Sequence, residues 1–330
     1  MRPTNVGCFA AGGKSLPMSG TPYRIDLESV RRAFPLWLEA PPLLVDFAAW
    51  LEGRAWGGVG CFDLVGQFSD NAPLFDPSLL RNEFALFMRL PDGSAVGTWY
   101  PDAGNAELAP AVLIGSEGQH KILAPSLDGF FARLASLQFP DSDLEPHEDS
   151  ADQTDELAAW LRKRLGLKDL DMVLRTGEPL PDFAGAMNKW CRDREAFWSD
   201  HPALKAVSAS LLSHRPTGKN PWDRTHFEVA IVGAQSQIRV LRRGRQPVEE
   251  AAAIEPILRD LRDEMWRGMP NLGLWYSMAF GLYADGRIMP RFDYETRPTI
   301  NELSADIAEA KADLERAPRP ARWVPDWLAA

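Results

Sequence analysis

Alternating apolar and polar positions predict antiparallel hairpins in the first half of the chain. The runs 82–90 and 95–100 have strand character, and Asp92-Gly93 between them favours the positive backbone angles of a tight turn. The runs 111–114 and 120–123 flank a second glycine-containing turn in the same way. Two successive hairpins are therefore expected.

Apolar residues at helical spacing predict helices on both sides of these hairpins. Pro42 precedes a stripe that stops at Gly53, and Ser126 is placed to cap a helix with one apolar face. Further helices are predicted over 157–165, 183–198 and 249–267. Thr299 and Glu302 have capping-box spacing, which predicts that the last long helix starts there.

The second half also contains strand signals, over 227–232, 237–241, 273–283 and 288–294. Asp285-Gly286 predicts a turn between the last two, and Pro290 requires an edge position or a bulge because it has no N–H to donate. Strands and helices do not alternate regularly along the chain. The expected fold class is therefore α+β, with two mixed domains that each pack an antiparallel-rich sheet with helices.

The predicted domain order places an acidic linker between the two halves. Residues 1–24, rich in Gly, Pro and Ser, are expected to form a flexible arm, followed by a first domain over 25–140. The run 141–156 has eight carboxylates and neither Lys nor Arg, so it cannot bury enough apolar surface to offset its ordering entropy. The second domain is expected over 157–330.

Composition and charge narrow the function classes. With 330 residues, of which 45% are apolar, the chain is long and apolar enough to form packed cores. The net charge is −10, but outside the acidic run 36 basic residues face 38 acidic ones. Neither half has the basic excess typical of phosphate binding, so direct nucleic-acid binding is disfavoured.

Cysteine usage and hydropathy predict a cytoplasmic protein. Cys8, Cys61 and Cys191 lie far apart, and their odd number excludes a complete disulfide framework, which favours a reducing compartment. The first 20 residues lack the apolar stretch of a signal peptide, and no window resembles a membrane span. No membrane partner is expected.

The motifs of common catalytic and cofactor sites are missing. Gly12-Gly13-Lys14-Ser15 lacks the preceding glycine and the strand of a phosphate-binding loop. The five histidines include no pair three to five residues apart, and no Gly-x-Ser-x-Gly elbow is present. We therefore predict no enzyme, no catalytic residue, no cofactor and no metal.

The first domain resembles the SUKH superfamily over about residues 40–139. The resemblance lies in the order of strand, turn and helix segments. The matching segments are Phe84 to Leu90, Asp92-Gly93, Val96 to Trp99, Val112 to Gly118, Leu123-Ala124 and Ser126 to Leu137. Because these positions are structural, the resemblance transfers no catalytic residue.

The second domain resembles the YezG-like immunity proteins over about residues 226–328. The matching positions are Trp275, Phe280, Asp285-Gly286, Phe292-Asp293-Tyr294, Pro318-Arg319, Pro325, Asp326 and Trp327. Residues 157–225 have no counterpart in either family.

Both resemblances imply a bacterial immunity protein that binds a cognate polymorphic toxin, often a nuclease, in the cytosol. Such a protein would act stoichiometrically, with carboxylates facing a basic toxin cleft and aromatic residues at element ends as anchors. The candidate partner-binding residues are Asp92, Trp99, Tyr100, Asp102, Glu107, Glu117, Asp285, Asp293 and Glu295.

Other interpretations remain open from the sequence. SUKH-like domains also serve as regulatory or scaffold modules, and an enzyme could assemble its site only in space. For Trp99 and Tyr100, core packing is favoured over an anchoring role, since it is the usual place of large aromatic residues. The carboxylates could be ordinary solvated turn residues, and Asp293 with Glu295, between Arg291 and Arg297, could form a solvated charge ladder. The sequence also leaves open whether the protein forms a homodimer.

Overall fold

The chain divides into two compact units, each with its own antiparallel sheet and helices. In the computed structural model, the described residues are 21–65, 83–101, 109–116, 118–139, 142–174, 180–213, 224–241, 246–248 and 250–329. Within them the first unit ends at Met187 and the second begins at Asn188, inside one helix. Helices combined with antiparallel sheets confirm the predicted α+β class.

The sheet of the first unit is a meander in which every strand pairs with the next one in sequence. Its strands are β1 Asp63–Leu64, β2 Phe84–Arg89, β3 Ala95–Trp99, β4 Ala111–Ile114 and β5 His120–Ala124. Both predicted hairpins are confirmed, as β2–β3 and β4–β5. Gly93 and Gly118, both with φ of +87°, provide the left-handed backbone of the two turns.

Helices cover this sheet through aromatic packing. They span Leu27–Arg32, Pro42–Leu51, Leu127–Ala135, Thr154–Leu165 and Asp171–Leu174. Ser126 caps the third of them as predicted, since its hydroxyl accepts the Gly129 N–H at 3.1 Å. Phe47 and Phe131, both fully buried, bring their rings to 4.4 Å and join two helices in the core.

The acidic run does not have the structure expected of a free linker, because it packs on the first unit. The backbone N–H groups of Cys61, His147 and Gln153 close bonds between this run and residues 57–61, at 2.6 to 2.8 Å. Leu144 is 3% exposed and belongs to the first core. Backbone pairing and one buried leucine therefore order a segment whose composition alone indicated a spacer.

The sheet of the second unit has the order β10-β9-β6-β7-β8. Its strands are β6 Arg224–Val232, β7 Gln235–Val240, β8 Gln246–Pro247, β9 Ser277–Tyr283 and β10 Ile288–Asp293. Pro290 lies on the edge strand β10, as the sequence required.

Helices, including some that the sequence did not predict, pack with the second sheet. The helical segments are Phe183–Asp200, Pro202–Ser213, Ala251–Gly268, Pro270–Leu272, Ile307–Arg316, Ala321–Trp323 and Asp326–Ala329. The predicted helix near 249–267 is confirmed as Ala251–Gly268, and its fully buried Ile254, Leu258 and Leu261 join the core. Among the long helices, Pro202–Ser213 was not predicted, and neither were the short segments Pro270–Leu272, Ala321–Trp323 and Asp326–Ala329.

The predicted capping box at Thr299 and Glu302 is wrong. Thr299–Ile300 and Leu303–Ser304 form a small hairpin, β11–β12, whose turn residues Asn301 and Glu302 have positive φ. The following helix starts at Ile307, where the Asp306 carboxylate accepts the Ala308 N–H at 2.8 Å. Asp306, seven residues after Thr299, is therefore the residue that caps the helix.

Candidate functional site: an acidic groove

A groove of about 830 Å³ opens in the first unit. Its walls come from the β2–β3 turn, from β4 and β5, and from the acidic run. The lining residues are Cys61, Leu90, Asp92, Ser94, Leu113, Gln119, Lys121, Ser142, Asp143, Glu145, Pro146, His147 and Glu148. We call this the acidic groove, because four of these side chains are carboxylates and one is an amine.

Most of the negative charge in the acidic groove has no internal counter-ion. Within the described ranges, the carboxylates of Asp143, Glu145 and Glu148 form no ion pair. Glu148 is exposed and the other two are partly buried. Carboxylates that lie together without cations give a negative potential that attracts a basic partner.

Asp92, predicted as a partner-binding residue, lies at the rim of the acidic groove. Its carboxylate accepts the backbone N–H and the hydroxyl of Ser94, both at 2.7 Å. The Ser94 hydroxyl in turn accepts the Ser116 N–H at 3.1 Å and so links the tips of the two hairpins. Asp92 therefore fixes the turn while remaining exposed to solvent.

Asp143 is electrostatically coupled to Asp92 across the acidic groove. Its backbone is held by the Cys61 N–H, which donates to the Asp143 carbonyl at 2.6 Å. Partial burial raises the pKa of the Asp143 carboxyl above its usual range, and the negative charge of Asp92 raises it further. A bound cation would favour the charged form of Asp143.

Two cysteines, Cys61 and Cys191, lie within the described ranges. Cys61 is buried at the base of the acidic groove, and its Sγ lies 4.0 Å from the Glu145 carbonyl oxygen. Partial burial raises the pKa of the Cys191 thiol, which lowers its thiolate fraction.

Trp99 and Tyr100 were candidate anchors for which the sequence favoured core packing, and the structure places both in the core. Trp99 is 5% exposed and its ring lies 5.0 Å from that of Phe183. Tyr100 is 1% exposed, accepts a hydrogen bond from the Thr98 hydroxyl at 2.8 Å, and has its pKa raised to about 12 by burial. Both are core residues, because the strand end at which they lie is covered.

The predicted carboxylates of the second unit do not form a common site. Asp285 is exposed and pairs with Arg287 in its own turn at 2.7 Å. Asp293 ends β10 and accepts the N–H groups of Glu295 and Thr296, so the expected ladder with Glu295 on one strand is absent. Asp102, Glu107 and Glu117, the remaining candidates, lie outside the described residues.

Sequence reasoning missed the wall of the acidic groove formed by 142–148. The available signal was the acidic run itself, together with the glycines at 57, 58 and 60, which let another backbone approach closely. Neither the acidic run nor the glycines show by themselves that residues 142–148 contact residues 57–61.

Searches for a metal centre and for relatives give negative results. In the parts of the chain described above, no group of three His, Cys, Asp or Glu side chains is placed to hold a metal ion. None of the helices described there has both the length and the apolar character to cross a membrane.

Comparison with protein-family models, curated proteins and solved structures finds no match to this chain.

Proposed function

We propose that this chain is an immunity-type protein that binds a basic protein toxin through the acidic groove and blocks it stoichiometrically. The observation that carries the proposal is the set of three carboxylates, Asp143, Glu145 and Glu148, that have no ion pair within the described residues. The resemblance of this unit to SUKH domains supports the same function, and a nuclease is the expected toxin class.

The groove suits binding because the backbone that carries its carboxylates is held in place before a partner arrives. The Asp92–Ser94–Ser116 network fixes one wall, and the backbone bonds to residues 57–61 fix the other. A preorganised site loses little conformational entropy on association. Leu90, Leu113 and Pro146 add apolar surface against which the stem of a lysine or arginine can pack.

The experiment is coexpression of the chain with the product of the adjacent gene, followed by pull-down, a growth-rescue assay and association kinetics. In the variant Asp143→Asn/Glu145→Gln/Glu148→Gln, we expect the association rate at low salt to fall about tenfold, because electrostatic steering is lost. The difference should shrink as the salt concentration rises.

Asp155→Asn is the matched control. Asp155 belongs to the same acidic run and is exposed, but it does not line the acidic groove. The Asp155→Asn variant removes one charge, whereas the triple variant removes three. The single variant Glu148→Gln is therefore the one to compare directly with Asp155→Asn. A neighbouring product that is harmless alone and does not copurify would contradict the proposal, as would groove variants that bind and protect like the parent.

A further inference from the structure

The second unit contains a separate cleft of about 270 Å³ on one face of its sheet. Helix Ala251–Gly268 packs on the opposite face, where Phe227, Val229 and Ile231 of β6 belong to the core. The cleft is lined by Glu228, Arg239, Ser277, Ala279, Arg297 and Thr299, among others, and we call it the arginine cleft.

Arg297 is held rigidly at one end of this cleft. Its Nε and Nη2 both donate to the Ala305 carbonyl oxygen, at 2.9 and 2.7 Å, and its guanidinium lies 5.8 Å from the Trp327 ring centroid. The Ala305 N–H donates to the Pro298 carbonyl at 2.9 Å and closes the loop around it. One edge of the guanidinium is thus used by the fold, and the Nη1 group has no partner in the described chain.

Arg239 lies on the neighbouring strand β7 and is only partly exposed. Glu228 is its direct cross-strand neighbour, yet the two side chains do not form an ion pair. Over the residues that the structure describes, the Arg239 guanidinium makes neither a hydrogen bond nor a salt bridge. It is a cation that lines a cleft and is not needed to hold the sheet together.

From this arrangement we infer that the arginine cleft binds a single carboxylate, presented by an Asp or Glu side chain of an acidic peptide. A guanidinium matches a carboxylate in geometry and can bond it with two parallel N–H donors. Two arginines and one glutamate give the lining a net charge of about +1, which suits a monoanion better than a doubly charged phosphate.

The size and floor of the cleft agree with this ligand. Pockets for drug-sized ligands usually span about 300–1,000 Å³, so this cleft is suited to a side chain rather than a nucleotide. Ala230, Ser277 and Ala279 have small side chains at the base of the cleft, so an extended peptide can lie above the sheet. The Ser277 hydroxyl can also donate to a carboxylate oxygen.

The test is isothermal titration of the full chain with acetyl-Gly-Glu-Gly-amide, with the Gln peptide and inorganic phosphate as comparisons. We expect the Glu peptide to bind, and Arg239→Gln to weaken it about tenfold through loss of a charge-assisted bond. Glu228→Gln should bind the Glu peptide more tightly, because a like charge is removed. Arg287→Gln, an exposed arginine outside the cleft, should leave binding unchanged.

Arg239→Gln is expected to fold, since its side chain makes no bond within the described chain, and thermal unfolding verifies this. Arg297→Lys is a second variant, which keeps the charge but loses the planar fork and should also weaken binding. Equal binding of the Glu and Gln peptides would overturn the inference. So would a preference for phosphate, an absence of saturable binding, or an Arg239→Gln variant that binds like the parent.

Discussion

The core of the second unit and the acidic groove of the first unit use charged side chains in different ways. In the core of the second unit, Arg262 and Arg319 are 1% and 8% exposed and bond to backbone carbonyls or to a carboxylate. In the first unit, Asp143, Glu145 and Glu148 line an open groove, and within the described residues their carboxylates have no such partners. A buried charge must be bonded inside the fold, whereas a charge at a groove is available to another molecule.

The network around Arg262 is an example of a buried charge that is bonded inside the fold. Arg262 donates to the Trp275 carbonyl at 2.6 Å and to the Asp313 carboxylate at 2.8 Å. That carboxylate also accepts the Gly233 N–H at 2.7 Å, so it joins helix Ile307–Arg316 to the sheet. All its partners belong to the second unit, and none of them remains for recognition.

The largest expected effect comes from breaking this network. Arg262→Met would remove the buried cation that lies 2.8 Å from the Asp313 carboxylate and leave only the half-exposed Arg316 guanidinium, at 3.7 Å. We therefore expect the free energy of unfolding to fall by about 3 kcal/mol, the lower end of the range for breaking a buried ion pair. Urea denaturation followed by circular dichroism measures the change. Adding Asp313→Leu to Arg262→Met should restore part of the loss, and a single variant as stable as the parent would contradict the role given to this pair.

The hairpins were the most predictable part of the fold. Asp92-Gly93 and Asp285-Gly286 determine turns locally, since the backbone angles are favoured by the residues at the turn itself. Helix Ala251–Gly268 was equally predictable, because its apolar stripe repeats over about three turns. Turn residues and repeated apolar positions were thus sufficient here, whereas the capping box at Thr299, a single local signal, was not.

The acidic groove could not be predicted in the same way, because it depends on contacts between distant segments. Asp92 was correctly placed at an exposed turn, but its neighbour Asp143 is 51 positions away in sequence. For Trp99 and Tyr100 the sequence favoured core packing but left an anchoring role open, because the end of a strand is buried only when another segment packs over it. Phe183, whose ring packs on Trp99, is too distant in sequence to indicate that contact. Burial of a given aromatic is a property of the assembled unit.

An intermediate effect is expected where the acidic run meets the glycines of the first unit. Gly57 has φ of +84°, and a Cβ there would lie 2.8 Å from the Ser150 hydroxyl and 2.9 Å from the His147 Cβ. Gly57→Ala should therefore cost about 1–3 kcal/mol through strain and overlap and should displace the wall of the acidic groove. Urea denaturation measures the cost.

Gly53→Ala separates the two causes of that loss. Gly53 has a similar φ of +77°, but a Cβ there meets nothing within 4 Å. The free energy of unfolding of Gly53→Ala should fall only by the cost of placing a side chain in the left-handed region, about 1 kcal/mol. Equal losses in the two variants would mean that the acidic run is not packed against Gly57, and the fixed groove wall would then have to be abandoned.

The smallest expected effect concerns Asp143, whose charge costs stability in the first unit because its pKa is raised in the folded state. The favourable contribution of the protonated carboxyl is fully present below the ordinary pKa and is lost as the pH rises through the folded value. Asp143→Asn should thus match the parent at low pH and exceed its stability at neutral pH by up to about 0.5 kcal/mol. Asp155→Asn, measured by the same pH series of urea denaturation, should show no such gain. A loss of stability for Asp143→Asn at neutral pH would mean that the carboxylate has a cation partner within the fold, and the groove would then lose its contrast with the second unit.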